Sequence, residues 1–488
     1  MVIIKGHKMV HCKQHWMLNT PILRLMLSCS LPILPAIFLL GAYDLFETGL
    51  IARLCSTHLA ALSFSAPITT AMTGVAIALS IATNSWICRI KSTVNQNSCV
   101  EDQNELKSNI VRALVLAVSL TLVLSMLLFL LSPSFYLLLG TQSSAQPAIE
   151  FGMTSLVTQY TDIRLIGWIP LVLIWQINGI LRSFGYIKQA SVLLISWMLT
   201  KSLLSFSLIG DGQCSQLLDT GILGAGYAHL ISDTLFAFIS LVILFRDLNI
   251  KKYQVSAMQW KSTLKQMSVT GLNASLQQLY LPIAIGLLTF YVAAIAEDKV
   301  ALLSIIFRIE AFGLFVPMVL TASLPGLLAA NWWAGNVDRV KALIVQGIII
   351  ITMTQALLAF VLYLNAETIA AEISQNNHLQ QHIQYYLIYV PISFIGAGCT
   401  MLALSCLNAI GKSTNASTLG FGHKIVLILI FSAIGGWYAS IEGVFIGIAL
   451  AHIVSLVLVS KLFTREIWRQ NIPKPLQDAS FRTSPTVN

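Results

Sequence analysis

Long apolar runs, separated by short basic segments, set the pattern of this chain. Six runs lie near 25–51, 60–88, 109–133, 147–178, 189–210 and 221–245, and six more near 271–294, 300–329, 342–365, 384–408, 420–438 and 442–463. A helix rising 1.5 Å per residue needs roughly 20 apolar residues to cross about 30 Å of hydrocarbon, and each run comes close to or exceeds that length. The pattern predicts an all-α polytopic membrane protein of twelve transmembrane helices, with the lipid bilayer as its first partner.

Composition agrees. Of 488 residues 56% are hydrophobic and only 10% charged, and the mean hydropathy is +0.78. A soluble domain carries roughly a quarter charged residues, so this surface cannot mostly face water. The basic residues then orient the chain. Of 29 Lys and Arg, 24 fall in the tails and alternate connections, such as Arg89, Lys91 and Lys107, or Arg246, Lys251 and Lys252. The exceptions are Arg53, Arg164, Lys201, Lys299 and Arg308. The positive-inside rule places both termini in the cytoplasm and predicts a multi-pass cell-membrane protein, of a bacterial inner membrane. The net charge of +9 follows from that topology and needs no nucleic-acid partner.

The basic start of the chain lacks the short apolar core and small-residue cleavage site of a signal peptide. His7, His11 and His15 share one helical face beside Cys12. A basic juxtamembrane tail is the plainer reading, and no metal site or cofactor is expected. Cys12, Cys29, Cys55, Cys88, Cys99, Cys214, Cys399 and Cys406 show no C-x-x-C spacing and read as packing residues.

The chain also echoes itself. Ala228-His229-Leu230-Ile231-Ser232 matches Ala451-His452-Ile453-Val454-Ser455, and Leu181 to Gly185 matches Leu407 to Gly411. A third echo pairs Ala82-Thr83-Asn84-Ser85-Trp86 with Ala330-Asn331-Trp332-Trp333. Repeats of this length imply two six-helix lobes in the same orientation, a parallel repeat. The expected layout is a basic tail over 1–24, a first lobe over 25–245, a basic inter-lobe loop over 246–268, a second lobe over 269–463 and a tail over 464–488.

An ionisable side chain inside a span is costly unless paired or hydrated, so each is a functional candidate. The first lobe concentrates them: Tyr43, Asp44 and Glu47, then Asp162 and Arg164, then Lys201, then His229 and Asp233. The second is sparser, with Arg308, Glu310 and His452. Asp44 and Glu47, three apart, share a helix face and cannot both ionise cheaply, as a proton-loading site requires. Asp162 with Arg164, and Arg308 with Glu310, read as local structural or cavity-lining pairs. Pro32 and Pro35 each remove a backbone hydrogen bond, so the first span can kink there and act as a gate.

These motifs together resemble the multidrug and toxic compound extrusion (MATE) family over roughly 20–465. The resemblance rests on Pro32 leading to Tyr43-Asp44-Leu45-Phe46-Glu47-Thr48, on Leu181-Arg182-Ser183-Phe184-Gly185, on Gly224-Ala225-Gly226-Tyr227-Ala228-His229, and on Arg308-Ile309-Glu310. It implies a cation-coupling cluster in the first lobe. Ungapped matching puts Glu47 at the family's first-span Asp and Asp44 at a usual Asn. Lys201 then stands at a fifth-span Asn, Ser205 at an Asp and His229 at a Thr. An ammonium would repel sodium, so protons are the expected coupling ion, with sodium second, and Lys201 an internal counter-charge.

The resemblance implies a secondary antiporter that exports amphiphilic, cationic small molecules by alternating access, and acts as a monomer. A lipid-linked saccharide flippase of the wider superfamily is the near rival. Channel and enzyme readings are weaker, because no selectivity-filter repeat, His-Glu-x-x-His, phosphate loop or Gly-x-Ser-x-Gly turn lies near a span. The sequons at Asn273 and Asn415 fall in a span and on the cytoplasmic side, so glycosylation is not expected.

Overall fold

The structure, a computed structural model, describes residues 20–52, 56–94, 100–138, 147–209, 221–248, 260–295, 300–373 and 377–468. The His7–His11–Cys12–His15 face, Arg53, Lys299 and residues 249–259 of the inter-lobe loop lie outside them. Among the described residues every regular element is helical. In the first half α1 (Ile22–Ala52), α2 (Ser56–Val94) and α3 (Val100–Leu138) are unbroken. The fourth span, expected as one helix, is two: α4 (Pro147–Ile166) and α5 (Trp168–Ser183) meet at Gly167 with a 42° bend. Pro170 stands in the first turn of α5, where its missing N–H has no helical partner to lose. Helices α6 (Ile187–Ile209) and α7 (Gly221–Leu248) follow.

The second half opens with α8 (Trp260–Ile295). Its next span is interrupted at Leu314, between α9 (Val300–Gly313) and α10 (Phe315–Trp333). Then come α11 (Val337–Leu364), the short α12 (Ala366–Ile373), and a span broken at Pro391 between α13 (Asn377–Tyr389) and α14 (Phe394–Ala409). Thus the fourth span of each half is a broken helix, as a repeat would have it. The second echo holds in backbone detail too. Gly185 and Gly411 both end a helix at φ near 80° (80 and 81), and the residue after each donates to the carbonyl of Leu181 or Leu407. That is the glycine C-cap, which only a residue without Cβ adopts freely.

The last segment, α15 (Ser413–Phe421), a π turn over Gly422–Leu427 and α16 (Ile428–Phe463), is not one rod. Ala439 and Ser440 leave helical geometry, Ser440 at φ 52°. A Cβ placed on Gly435 would lie 2.0 Å from the Gly443 carbonyl oxygen, and one on Gly443 1.9 Å from that of Gly435. Eight residues apart in a straight helix are about 12 Å apart, so the chain must double back here. Among the described residues ten segments are long and apolar enough to span, eleven with the bent α4–α5 pair, and this reversal makes the twelfth.

The reversal rests on backbone contact, which small residues allow. Gly443→Ala should force the two arms apart and cost at least about 1–3 kcal/mol, as overpacking does. Gly41→Ala is the control, because nothing lies within 4 Å of its Cβ position. Thermal unfolding followed by fluorescence-detected size exclusion should show the first variant melting well below the second.

Within the first lobe α1 packs on α6, α2 on α5, and α6 and α5 on α7; in the second α10 packs on α14 and α14 on α16. Between lobes, α2 meets α8 and α10, and α1 meets α10. Helix α1 belongs to both cores. Leu25, Met26, Cys29 and Ile33 sit among Leu324, Leu328 and Leu402 of the second lobe, whereas Tyr43, Leu50 and Ile51 sit among Val172 and Trp197 of the first. Hydrogen bonds fasten the lobes at the end that carries the chain's N-terminus: Ser30 to Ser323 (2.8 Å), and Ser85 Oγ donating to the Asn408 carbonyl (2.9 Å). Outward faces such as Val123, Met126 and Leu130 of α3 and Met353 and Leu357 of α11 stay exposed. A continuous apolar face of this size suits hydrocarbon, not water.

Candidate functional site

Three pairs of residues, each four apart and so on one face of its helix, converge inside the first lobe. They are Tyr43 and Glu47 on α1, Lys201 and Ser205 on α6, and His229 and Asp233 on α7; all six are buried. Tyr43 Oη donates to Glu47 Oε1 at 3.0 Å. With that proton committed, Ser205 Oγ donates to Tyr43 Oη at 2.9 Å. His229 Nε2 stands 2.7 Å from the same Glu47 Oε1 and 3.2 Å from Tyr43 Oη, closing a triangle of polar atoms. His229 Nδ1 is buried without a partner among the described residues. One proton between Nε2 and Oε1 therefore serves either group. If Glu47 is ionised the imidazole donates, and if Glu47 holds the proton the imidazole accepts.

The second charged pair lies one turn further along α7. Lys201 Nζ is 3.6 Å from Asp233 Oδ1, to which Trp197 Nε1 also donates at 2.8 Å. The ammonium lies over the Trp197 ring (4.8 Å) and the Tyr43 ring (5.2 Å), so aromatic faces stand in for lost water. Arg164 of α4 is buried within the field of Asp233 and Glu47, and its Nε has no hydrogen-bond partner among the described residues. With His229 neutral, the buried charges of Glu47, Asp233, Lys201 and Arg164 cancel. Uptake of one proton leaves a single positive charge in a lobe interior.

The structure corrects several sequence readings. Asp44 and Glu47 share a face of α1 but are not a buried pair: Glu47 is buried, whereas Asp44 is exposed and in no ion pair among the described residues. Lys201 pairs with Asp233 of α7 rather than with the α1 acids. Asp162 and Arg164 do not pair, and neither do Arg308 and Glu310; two apart on a helix, the members of each point to opposite sides, and Arg308 is exposed. Pro32 and Pro35 lie inside α1, which runs unbroken past both.

Nor is the second lobe merely apolar. Its buried Glu310 Oε1 lies 3.6 Å from His452 Nε2, Ser393 Oγ is 3.2 Å from His452 Nδ1, and the His423 ring packs 5.3 Å from that of His452. The echoed histidines, His229 and His452, thus each face a buried carboxylate. His423 and Lys424 escaped notice because they stand at the start of a span, where a basic residue reads as a cytoplasmic flank. Trp197 carried no signal at all, since an aromatic in an apolar helix reads as packing.

A cavity of about 280 Å³ lies between the lobes, toward the end that carries the N-terminus. Ile37, Ser80, Trp175 and Arg182 line it from the first lobe, and Gln277, Met318, Asn408 and Lys424 from the second. Ile37 precedes Tyr43 by six residues, about 9 Å along α1. Trp175 joins the two regions directly: its ring meets that of Trp197 edge-on at 6.5 Å.

A six-span lobe with a buried charged cluster, repeated and closed around a cavity, is a transporter's build, and the comparisons agree. The MatE family model matches residues 32–206 and 274–436, one stretch in each half. The chain belongs to the MatE family. Its members are membrane transporters and not enzymes. The transporter VcmN of Vibrio cholerae, solved as a mutant, superposes with a TM-score of 0.82 at 22% identity, covering 92% of this chain and 98% of that one. A transporter of the MOP superfamily from Pyrococcus furiosus gives 0.80 at 19% identity, covering 93% and 97%. A protein of Shewanella oneidensis named FAD transporter is 24% identical over 445 residues, which is 90% of this chain and 94% of that one.

Proposed function

We propose that this MatE transporter exports organic compounds in exchange for protons, with Glu47 and His229 as the loading site. The observation that carries the reading is the 2.7 Å contact between His229 Nε2 and Glu47 Oε1, buried and served by Tyr43 and Ser205. A carboxylate and an imidazole at this distance hold one proton jointly and can take a second. Each added proton must then be balanced by rearrangement, since Lys201 and Arg164 already match the acids. Sodium fits poorly. It needs several oxygens converging on one point, whereas Glu47 Oε1 is met by donors and two buried cations stand nearby. Alternating access follows from α1, whose two halves belong to the cores of different lobes. A proton change at Glu47 acts on a helix that both lobes share.

The test uses purified protein in liposomes loaded with a fluorescent substrate. Export should follow an imposed pH step and collapse with a protonophore. Export driven by a sodium gradient at clamped pH would overturn proton coupling. On cargo, the resemblance implied amphiphilic cations, but the carboxylates of the coupling cluster are engaged with Lys201 and His229. A second reading has one observation behind it, the name of the Shewanella relative: a flavin dinucleotide as the exported compound. Flavin release into the medium from cells expressing the chain, absent from Glu47→Gln cells, supports it.

A further inference from the structure

The inter-lobe cavity has an unusual charge balance for a site expected to take cations. Two cationic side chains line it, Arg182 from α5 and Lys424 from the π turn before α16, and no Asp or Glu among the described residues does. Its remaining polar groups are amides and hydroxyls, among them Asn84, Gln277, Gln278 and Asn408. Apolar walls, including Ile37, Trp175 and Met318, fill the rest.

Neither cation is in a direct ion pair among the described residues. Arg182 Nη1 donates to the Ala322 carbonyl at 2.8 Å and Nε to that of Asn178 at 3.4 Å, both neutral acceptors. Lys424 makes no ion pair or hydrogen bond among the described residues, although Glu310 lies within its field. Two cations and no acid on the wall of one cavity attract an anion and oppose a cation, since low-dielectric walls focus the field.

We infer that this cavity binds an organic oxyanion, a phosphate or carboxylate on an apolar body, held between Arg182 of one lobe and Lys424 of the other. One cation comes from each lobe, so the ligand bridges them. Arg182 also donates across the interface to Ala322, which ties occupancy of the site to closure of the lobes at this end. The amides supply donors for the remaining anion oxygens, and the apolar walls accept a flat ring. A volume near 280 Å³ suits one compact fused-ring body rather than an extended chain. The inference rests on reading the chain as a carrier with its substrate site between the lobes.

The experiment compares two dyes on one xanthene frame, fluorescein as its dianion and rhodamine 123 as a cation. Binding is read by fluorescence anisotropy on full-length protein in phosphatidylcholine nanodiscs, with no gradient present. Fluorescein should bind at least about tenfold more tightly than rhodamine 123, and Lys424→Gln should weaken fluorescein about tenfold, the worth of one removed charge contact. Lys424→Arg should restore it. Lys424 breaks no described hydrogen bond when replaced, so these variants keep the fold where Arg182→Gln would not be expected to.

Rhodamine 123 binding as tightly as fluorescein, or fluorescein binding that ignores Lys424→Gln, overturns the inference. Displacement of fluorescein by inorganic pyrophosphate supports a soluble anion, and displacement by added phosphatidylglycerol alone supports a lipid headgroup as the oxyanion. The outcomes also separate the two proposals. Fluorescein binding without proton-driven export would sink the coupling reading alone. Proton-driven export of rhodamine 123 without fluorescein binding would sink this one alone.

Discussion

Glu47→Gln should abolish proton-driven export while leaving the protein folded. Glutamine keeps the shape of glutamate, and its Oε1 can still accept from Tyr43 and His229, so the triangle of contacts at 3.0, 2.7 and 3.2 Å is preserved. What it loses is the ability to load and release a proton. The variant also removes one of the two buried acids that balance Lys201 and Arg164. It therefore carries permanently the charge of the proton-loaded state, and the exchange cycle has no second state to return to. In liposomes with an imposed pH step, export should fall to the level of protein-free vesicles. Melting should move by no more than a few degrees, the effect of about 1 kcal/mol in a protein of this size. Export within twofold of the wild type would remove Glu47 from the coupling site.

The second large effect is on stability. Lys201→Ala leaves Asp233, which is 1% exposed, hydrogen-bonded to the Trp197 indole and Ser232 and in the field of Arg164 but without a direct ion partner among the described residues. Breaking a buried ion pair from one side costs about 3–5 kcal/mol, because the surviving charge has lost both water and partner. Replacing both members with apolar residues of similar size is by contrast often neutral. Lys201→Met combined with Asp233→Leu should therefore recover most of what Lys201→Ala loses. Thermal unfolding of the purified single and double variants reads the cycle. Equal losses in all of them would mean that the 3.6 Å pair contributes nothing and Lys201 is held by its aromatic neighbours alone.

Of the twelve spans, the sequence placed nearly all within a few residues, because crossing a bilayer is a local demand on about 20 consecutive side chains. It placed the breaks less well. The bend at Gly167 and the interruption at Leu314 fall inside the runs 147–178 and 300–329, each of which reads as a single span. Pro391 marked the third break, but Pro32 and Pro35, equally visible, leave α1 unbroken. Proline removes a hydrogen bond wherever it sits, and the packing of its neighbours decides whether the helix bends.

For the candidate site, residue identity was legible and partnership was not. Tyr43, Glu47, Lys201, Ser205 and His229 were singled out as chemistry that hydrocarbon does not tolerate without cause. Spacing along a helix says which residues share a face. It says nothing of which other helix that face meets. Hence Lys201 reads from the sequence as an internal counter-charge with no named partner, and it is α7 that brings Asp233 to it. Arg182 and Lys424 read as flanking charges at helix ends, and only the meeting of two lobes encloses both in one cavity.

By itself, then, the sequence determined the membrane class, the span count, the repeat and the family, each a property of short stretches compared with one another. The tertiary structure alone decided which charges pair directly and which line the cavity without a direct ion partner among the described residues. Those outcomes depend on how closely helices approach. Contacts as tight as Gly435 against Gly443 set that approach, and they depend on both helices at once.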